Sequence, residues 1–192
     1  VLVSPFGNDR GDFSGVGPAG DGRIKPDVMT SGVGVASVLG TALSTDSNCA
    51  GQTFDGTSSS TAIAAGTAIL AREYYVKGMY PSGVKTPADA FDPSAALVKA
   101  TLINGARNMD GANIPAAANS DAPSSVQGWG RVTLDDALWF SDETAASNRK
   151  LAAWDVRHDN GLATGDVWES EVSVSDTAIP LKITLVWSDA PA

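Results

Sequence analysis

The stretch FDGTSSSTAIAAGTAILAREYY, Phe54 to Tyr75, limits what this chain can fold into more than any other. From Thr61 to Tyr75 it has no proline and no glycine except Gly66, Ala recurs throughout, and Ile63, Ile69 and Leu70 supply bulk. Such a run reads as a helix apolar on most sides, which is expected to be buried. A Gly-Thr-Ser turn stands directly before it. If the helix begins at Ser58 or just after, its unbonded amides and the positive end of its dipole lie beside the Ser58 hydroxyl. Two readings follow from the residues alone. Ser58 is a nucleophile held at a helix N-terminus, or Ser58, Ser59 and Ser60 are N-cap and first-turn residues of an ordinary helix.

The rest of the chain reads as α/β text followed by β text. Val1 to about Gly51 is rich in loops, with short β-prone runs such as VGVASVL, Val33 to Leu39, between Gly and Pro. A second helix is expected in DPSAALVKATLINGARNM, with Asp92 as N-cap, Pro93 at the first helical position and Gly105 near the end. Its stripe of Leu97, Ala100, Ile103 and Ala106 should pack on the same core. Met109 to Gln127 reads as a long surface excursion. GWGRVTLDDALWF then reads as a tight turn and a short helix that docks by Leu134, Leu138 and Trp139.

Beyond about Ser147 the period becomes two. Leu181, Ile183, Leu185 and Trp187 face one way while Lys182, Thr184, Val186 and Ser188 face the other, and Trp168, Val172 and Val174 partly repeat the pattern. The boundary is expected near residues 145 to 153, dividing the chain into a domain over 1–146 and the start of a β domain over 147–192. No fixed-period repeat is present. Val1 opens inside an apolar run without a readable signal peptide, and the last residues follow a strong strand pattern. Both ends read as cuts in a longer chain.

Composition removes several classes of function. With 43% hydrophobic and 18% charged residues among 192, the chain is globular rather than disordered. A net charge of −9 with 13 scattered Lys and Arg is unsuited to tracking phosphates, so nucleic acid is not an expected partner. No apolar run approaches the roughly 20 residues of a membrane helix, and no membrane partner is expected. Cys49 is the single cysteine; it reads as a buried or half-buried thiol, with pairing to a cysteine outside this sequence as the alternative. An acidic, Asp- and Gly-rich surface leaves structural calcium open, but Asp110 to Asp121 has no recognisable ligand spacing, so metal residues stay unassigned.

Other serine motifs fit less well. The G-x-S-x-G elbow needs a glycine where Ser60 stands, and Ser82 to Lys85 matches S-x-x-K without the partner motifs. GTSSSTAIAAG, Gly56 to Gly66, resembles the catalytic-serine motif of subtilisin-like serine proteases, usually G-T-S-M-A-[ST]-P-x-V-A-G, with Ser58 on the nucleophile. DFSGVGPAGDGRIKPDVMTSG, Asp12 to Gly32, is similar to that family's F-S-S-R-G-P…D-G-R-x-K-P-D-V-x-A-P-G segment. DPSAALVKATLINGA and QGWGRVTLDDAL resemble the family's following helix and its closing G-x-G-R-V segment. The four segments stand in the family's order. Ser59 and Ser60 replace Met-Ala, Ala62 replaces proline, Gly15-Val16 replaces Ser-Arg, and Thr30-Ser31 replaces Ala-Pro.

The resemblance implies the second part of a subtilisin-like parallel-sheet, three-layer α/β domain. It is nearest to large secreted subtilases with a β-sandwich or jelly-roll domain behind the protease, and IPLKITLVWSDAPA resembles a segment of such domains. It also implies an extracellular serine endopeptidase acting on a protein or peptide substrate through an acyl-enzyme on Ser58, with no cofactor required for the chemistry. The family's Asp, His and oxyanion-hole Asn would precede Val1, so the upstream half of the domain is needed and this chain alone is expected to be inactive. The lone histidine, His158, follows the serine and reads as a surface or turn residue. Asp27 reads as a structural loop carboxylate. The alternative is a degenerate, non-catalytic subtilase serving as a scaffold or interaction module.

Overall fold

A computed structural model describes residues 8–40, 50–111, 114, 122–141, 150–174 and 176–188. Cys49 and most of the expected domain boundary lie outside these residues. By internal contacts the chain divides into two compact units. Unit 1 comprises Val1–Thr67, Ala106–Thr133 and Ala192, and unit 2 comprises Ala68–Gly105 and Leu134–Pro191.

Unit 1 is built from loops that clamp a small hairpin. Strand β1, Val35–Val38, pairs antiparallel with β2, Gly51–Phe54, in the register Val35 to Phe54 and Val38 to Gly51. The β-prone run read from Val33 to Leu39 thus contains β1. After β2, Asp55 and Gly56 turn the chain into helix α1, Thr57–Val76. Gly56 has φ 139°, a region that residues with a Cβ rarely occupy, so glycine is what makes this abrupt strand-to-helix turn accessible.

The core of unit 1 is Met29, Met109, Ile114 and Val126. Met29 is held by a parallel bridge to Arg131, which also pairs antiparallel with Arg107. Met29 N–H donates to Gly130 C=O at 2.9 Å, and Val132 N–H donates to Met29 C=O at 3.0 Å. Of the expected surface excursion from Met109 to Gln127, residues 112–113 and 115–121 lie outside the described residues, while both its ends, Met109 and Gln127, are buried rather than at the surface. Gln127 is fully enclosed and its side chain serves as surrogate backbone: Oε1 accepts from Met109 N–H at 2.7 Å, and Nε2 donates to Asn108 Oδ1 at 2.9 Å.

Unit 2 packs the second half of α1 against helix α2, Ala95–Asn104. Tyr74, Tyr75, Leu97, Ala137 and Leu138 form its core. The aromatic rings meet edge to face, Tyr74 with Tyr75 at 5.4 Å and with Phe140 at 5.3 Å. Tyr74 Oη donates to Trp139 C=O at 2.6 Å, and a short 3-10 turn at Leu134–Asp136 brings Leu138 into the core as expected.

The N-cap of α2 is Ser94 and not Asp92. Ser94 Oγ accepts from Leu97 N–H at 3.1 Å, and its own N–H donates to Asp155 Oδ2 at 2.7 Å, which sets a carboxylate at the positive end of the helix. Asp92 is drawn aside instead, with its carboxylate on the Arg72 guanidinium and its C=O accepting from Arg157.

Two further expectations need correction. α1 is not buried on most sides. Ala71, Tyr74 and Tyr75 are enclosed, whereas Ile69 is 66% and Leu70 56% exposed, so its apolar girdle is wider than the surfaces it packs on. The period of two after residue 147 does not become paired strands among the described residues. The side carrying Ile183 and Leu185 faces solvent at 77% and 78% exposure, while Thr184 and Val186 are half-buried. Asn104 Nδ2 fixes this orientation by donating to Lys182 C=O and Thr184 Oγ1, both at 3.1 Å.

Candidate active site

Ser58 is the second residue of α1, one place further into the helix than its sequence reading required. Its side chain is exposed, and among the described residues no hydrogen bond engages its hydroxyl. The first intrahelical bond is Ser60 N–H to Gly56 C=O at 3.4 Å, so the amides of Thr57, Ser58 and Ser59 lie ahead of the ladder. Amides free of the ladder beside such a hydroxyl can donate to an anion that develops next to it.

The three consecutive serines have different fates. Ser58 is exposed, Ser59 is half-buried, and Ser60 is buried at 1% exposure. Ser60 Oγ donates to Thr30 C=O at 2.6 Å, Thr30 Oγ1 donates to Ser60 C=O at 2.7 Å, and the two hydroxyl oxygens lie 2.9 Å apart. Next to this contact, Gly56 N–H donates to Gly32 C=O at 2.7 Å and Gly34 N–H to Asp55 Oδ1 at 2.6 Å. The segment 30–34 therefore straps the turn that delivers Ser58.

Among the described residues no hydrogen bond joins the Ser58 hydroxyl to a histidine or carboxylate. The sole histidine of the sequence, His158, opens a short 3-10 turn, His158–Asn160, in unit 2. Asp27 pairs with Lys25, and its C=O accepts from Trp129 N–H at 2.9 Å, a loop-building arrangement. Asp55 is committed to Gly34. Among the described residues no cluster of His, Cys, Asp or Glu is arranged to hold a metal ion, and no helix is long and apolar enough to cross a membrane. Unit 2 has an open, largely apolar cavity of about 410 Å³ lined by Leu97, Trp154, Trp168 and Lys182, with no Ser, Cys or His in its wall.

Thr30, Asp55 and Gly32 were not read as site residues from the sequence. The available signal was a paired departure: the two motif positions that face each other, Thr30 and Ser60, both carry hydroxyls where the resembled pattern has alanine.

The arrangement presents an exposed serine, set by a glycine turn at the head of a small-residue helix and strapped from a preceding loop. The chain belongs to the subtilase family, whose model matches residues 4–130. It is similar to the Serine protease/ABC transporter B family protein tagD of Dictyostelium discoideum, 28% identical over 225 residues that cover 96% of this chain and 12% of that protein. The tagA protein of the same description and organism is 32% identical over 195 residues, covering 92% of this chain and 10% of the relative. The chain thus spans about a tenth of the length of these relatives.

Proposed function

We propose that this chain is part of a secreted, extracellular serine endopeptidase in which Ser58 is the nucleophile. Ser58 Oγ forms a bond to the carbonyl carbon of the scissile peptide, and its proton passes to a histidine supplied, with its aspartate, by residues outside these 192. The Ser58 N–H donates to the oxyanion, together with an asparagine also outside the chain. Collapse of the tetrahedral adduct breaks the C–N bond, the histidine returns the proton to the leaving amine, and water then cleaves the acyl-enzyme by the same route.

One observation carries this reading: an exposed hydroxyl on the second residue of α1, behind a glycine at φ 139°, next to amides ahead of the helical ladder. Membership of the subtilase family and relatives named as serine proteases support it. The substrate is a protein or peptide, and the chemistry asks for no cofactor. Structural calcium elsewhere is compatible with it.

The test is to treat the intact protein with a fluorophosphonate probe and map the adduct by mass spectrometry. Labelling at Ser58 that is lost in Ser58→Ala is the expected result. No label in the native intact protein, or a label elsewhere, would sink the proposal in favour of a non-catalytic scaffold. Absence of both an Asp-[ST]-Gly and a His-Gly-[ST]-His segment from the coding sequence before Val1 would do the same.

A further inference from the structure

The geometry points to Thr30 and Ser60 as positioning residues that hold the Ser58-bearing turn in its attacking conformation, an inference that rests on the reading of Ser58 as nucleophile. Both residues are buried, Thr30 at 7% and Ser60 at 1% exposure. They are 30 positions apart and exchange side-chain donors for each other's backbone carbonyls, at 2.7 and 2.6 Å. A reciprocal pair of this kind fixes two backbone segments against one another at both peptide planes. A single contact would leave one of them free to rotate.

What it fixes is the weak point of the site. Gly56 gives the turn its shape but brings the largest backbone freedom of any residue. The Ser58 hydroxyl has no hydrogen bond of its own among the described residues. Ser60 follows Ser58 by two residues in the first turn of α1, so immobilising its carbonyl and side chain immobilises the Ser58 Cα–Cβ vector. Thr30 is an adequate anchor because Met29, directly before it, is fully buried and bridged to Arg131. A nucleophile misplaced by about 1 Å loses orders of magnitude in rate, so the orientation of this turn bears on the rate of attack rather than on substrate binding.

The substituted hydroxyls are separable. Thr30→Val keeps the shape and removes one donor, Ser60→Ala removes the other, and Thr30→Ser keeps the donor. In the intact protein the expected result is that each of the first two slows acylation of Ser58 by the fluorophosphonate probe by roughly five-fold, and the pair together by roughly twenty-fold, one ordinary hydrogen bond at a time. kcat for a peptide substrate falls in parallel while KM stays within about two-fold. Thr30→Ser retains the unmodified rate. Should the double variant not fold, the comparison of Thr30→Ser with Thr30→Val decides alone. Equal acylation rates in folded Thr30→Val, Ser60→Ala and unmodified protein would overturn the positioning role while leaving Ser58 as nucleophile. No adduct at Ser58 in the unmodified protein removes the nucleophile reading instead.

Discussion

The backbone N–H of Gly34 donates to Asp55 Oδ1 across 2.6 Å, tying the loop before β1 to the turn that enters α1. Asp55 is exposed, yet the bond is charge-assisted and closes the strap one residue ahead of Gly56. Asp55→Ala is therefore expected to cost about 1 kcal/mol in urea unfolding. Asp55→Asn, which keeps an acceptor oxygen, should recover most of it. Equal midpoints for all three proteins would remove the carboxylate from the account of the turn.

Gly56 sets a different constraint. A Cβ built there would meet nothing closer than Ser58 N at 4.0 Å, so space is not the difficulty. Its φ of 139° is, because residues with a side chain avoid that region. Gly56→Ala should destabilise by about 1–3 kcal/mol, and the loss should come with slower Ser58 labelling because the strain is relieved by moving the turn. A stable variant with an unchanged labelling rate would contradict this.

Local signals were legible and non-local ones were not. β1, the two helices, Gly105 at the end of α2 and the docking of Leu138 follow from periodicity and turn chemistry within about ten residues. The N-cap of α2 is ambiguous in sequence because Asp92 and Ser94 are both good caps, and Arg72 and Arg157, 20 and 65 positions from Asp92, engage Asp92 instead. The clasp of Thr30 on Ser60 spans 30 positions and the Gln127 bond to Met109 spans 18. A serine that donates to a distant carbonyl looks, in sequence, like Ser58, whose hydroxyl has no hydrogen bond among the described residues. The face of residues 181–187 was equally hidden: period two gives the alternation, but Asn104 decides which side turns inward.

Gln127 shows what such a hidden residue contributes. Its Oε1 holds the buried Met109 N–H, and its Nε2 serves Asn108 Oδ1 and, at 3.3 Å, Met109 C=O. Gln127→Leu would leave that amide buried without its acceptor, for about 2–3 kcal/mol. Gln127→Glu keeps the acceptor and loses the donor while burying a charge, so it should be no better at neutral pH and should improve as the pH is lowered through the carboxylate range. Chemical denaturation of the two variants at neutral and mildly acid pH checks both signs.

The last expectation concerns alkaline stability. Tyr75 is fully buried, and its hydroxyl lies 3.0 Å from Thr101 Oγ1, linking α1 to α2 within unit 2. Burial pushes the phenol above its ordinary range, with Tyr80 and Asp155 adding to the effect and the Thr101 hydrogen bond opposing it. Above about pH 10 the unfolded chain gives up this proton before the folded one does. The unfolded state then binds fewer protons, so stability is full below that pH and declines as the pH rises through the folded value. Tyr75→Phe should cost about 1 kcal/mol near neutrality, since Thr101 keeps its bond to Leu97 C=O. The variant should lose less stability than the parent between about pH 8 and 11, with the gap between them narrowing or reversing. Urea midpoints measured across that range decide it: parallel curves for the two proteins would mean that Tyr75 ionises in the folded state as readily as in the unfolded one.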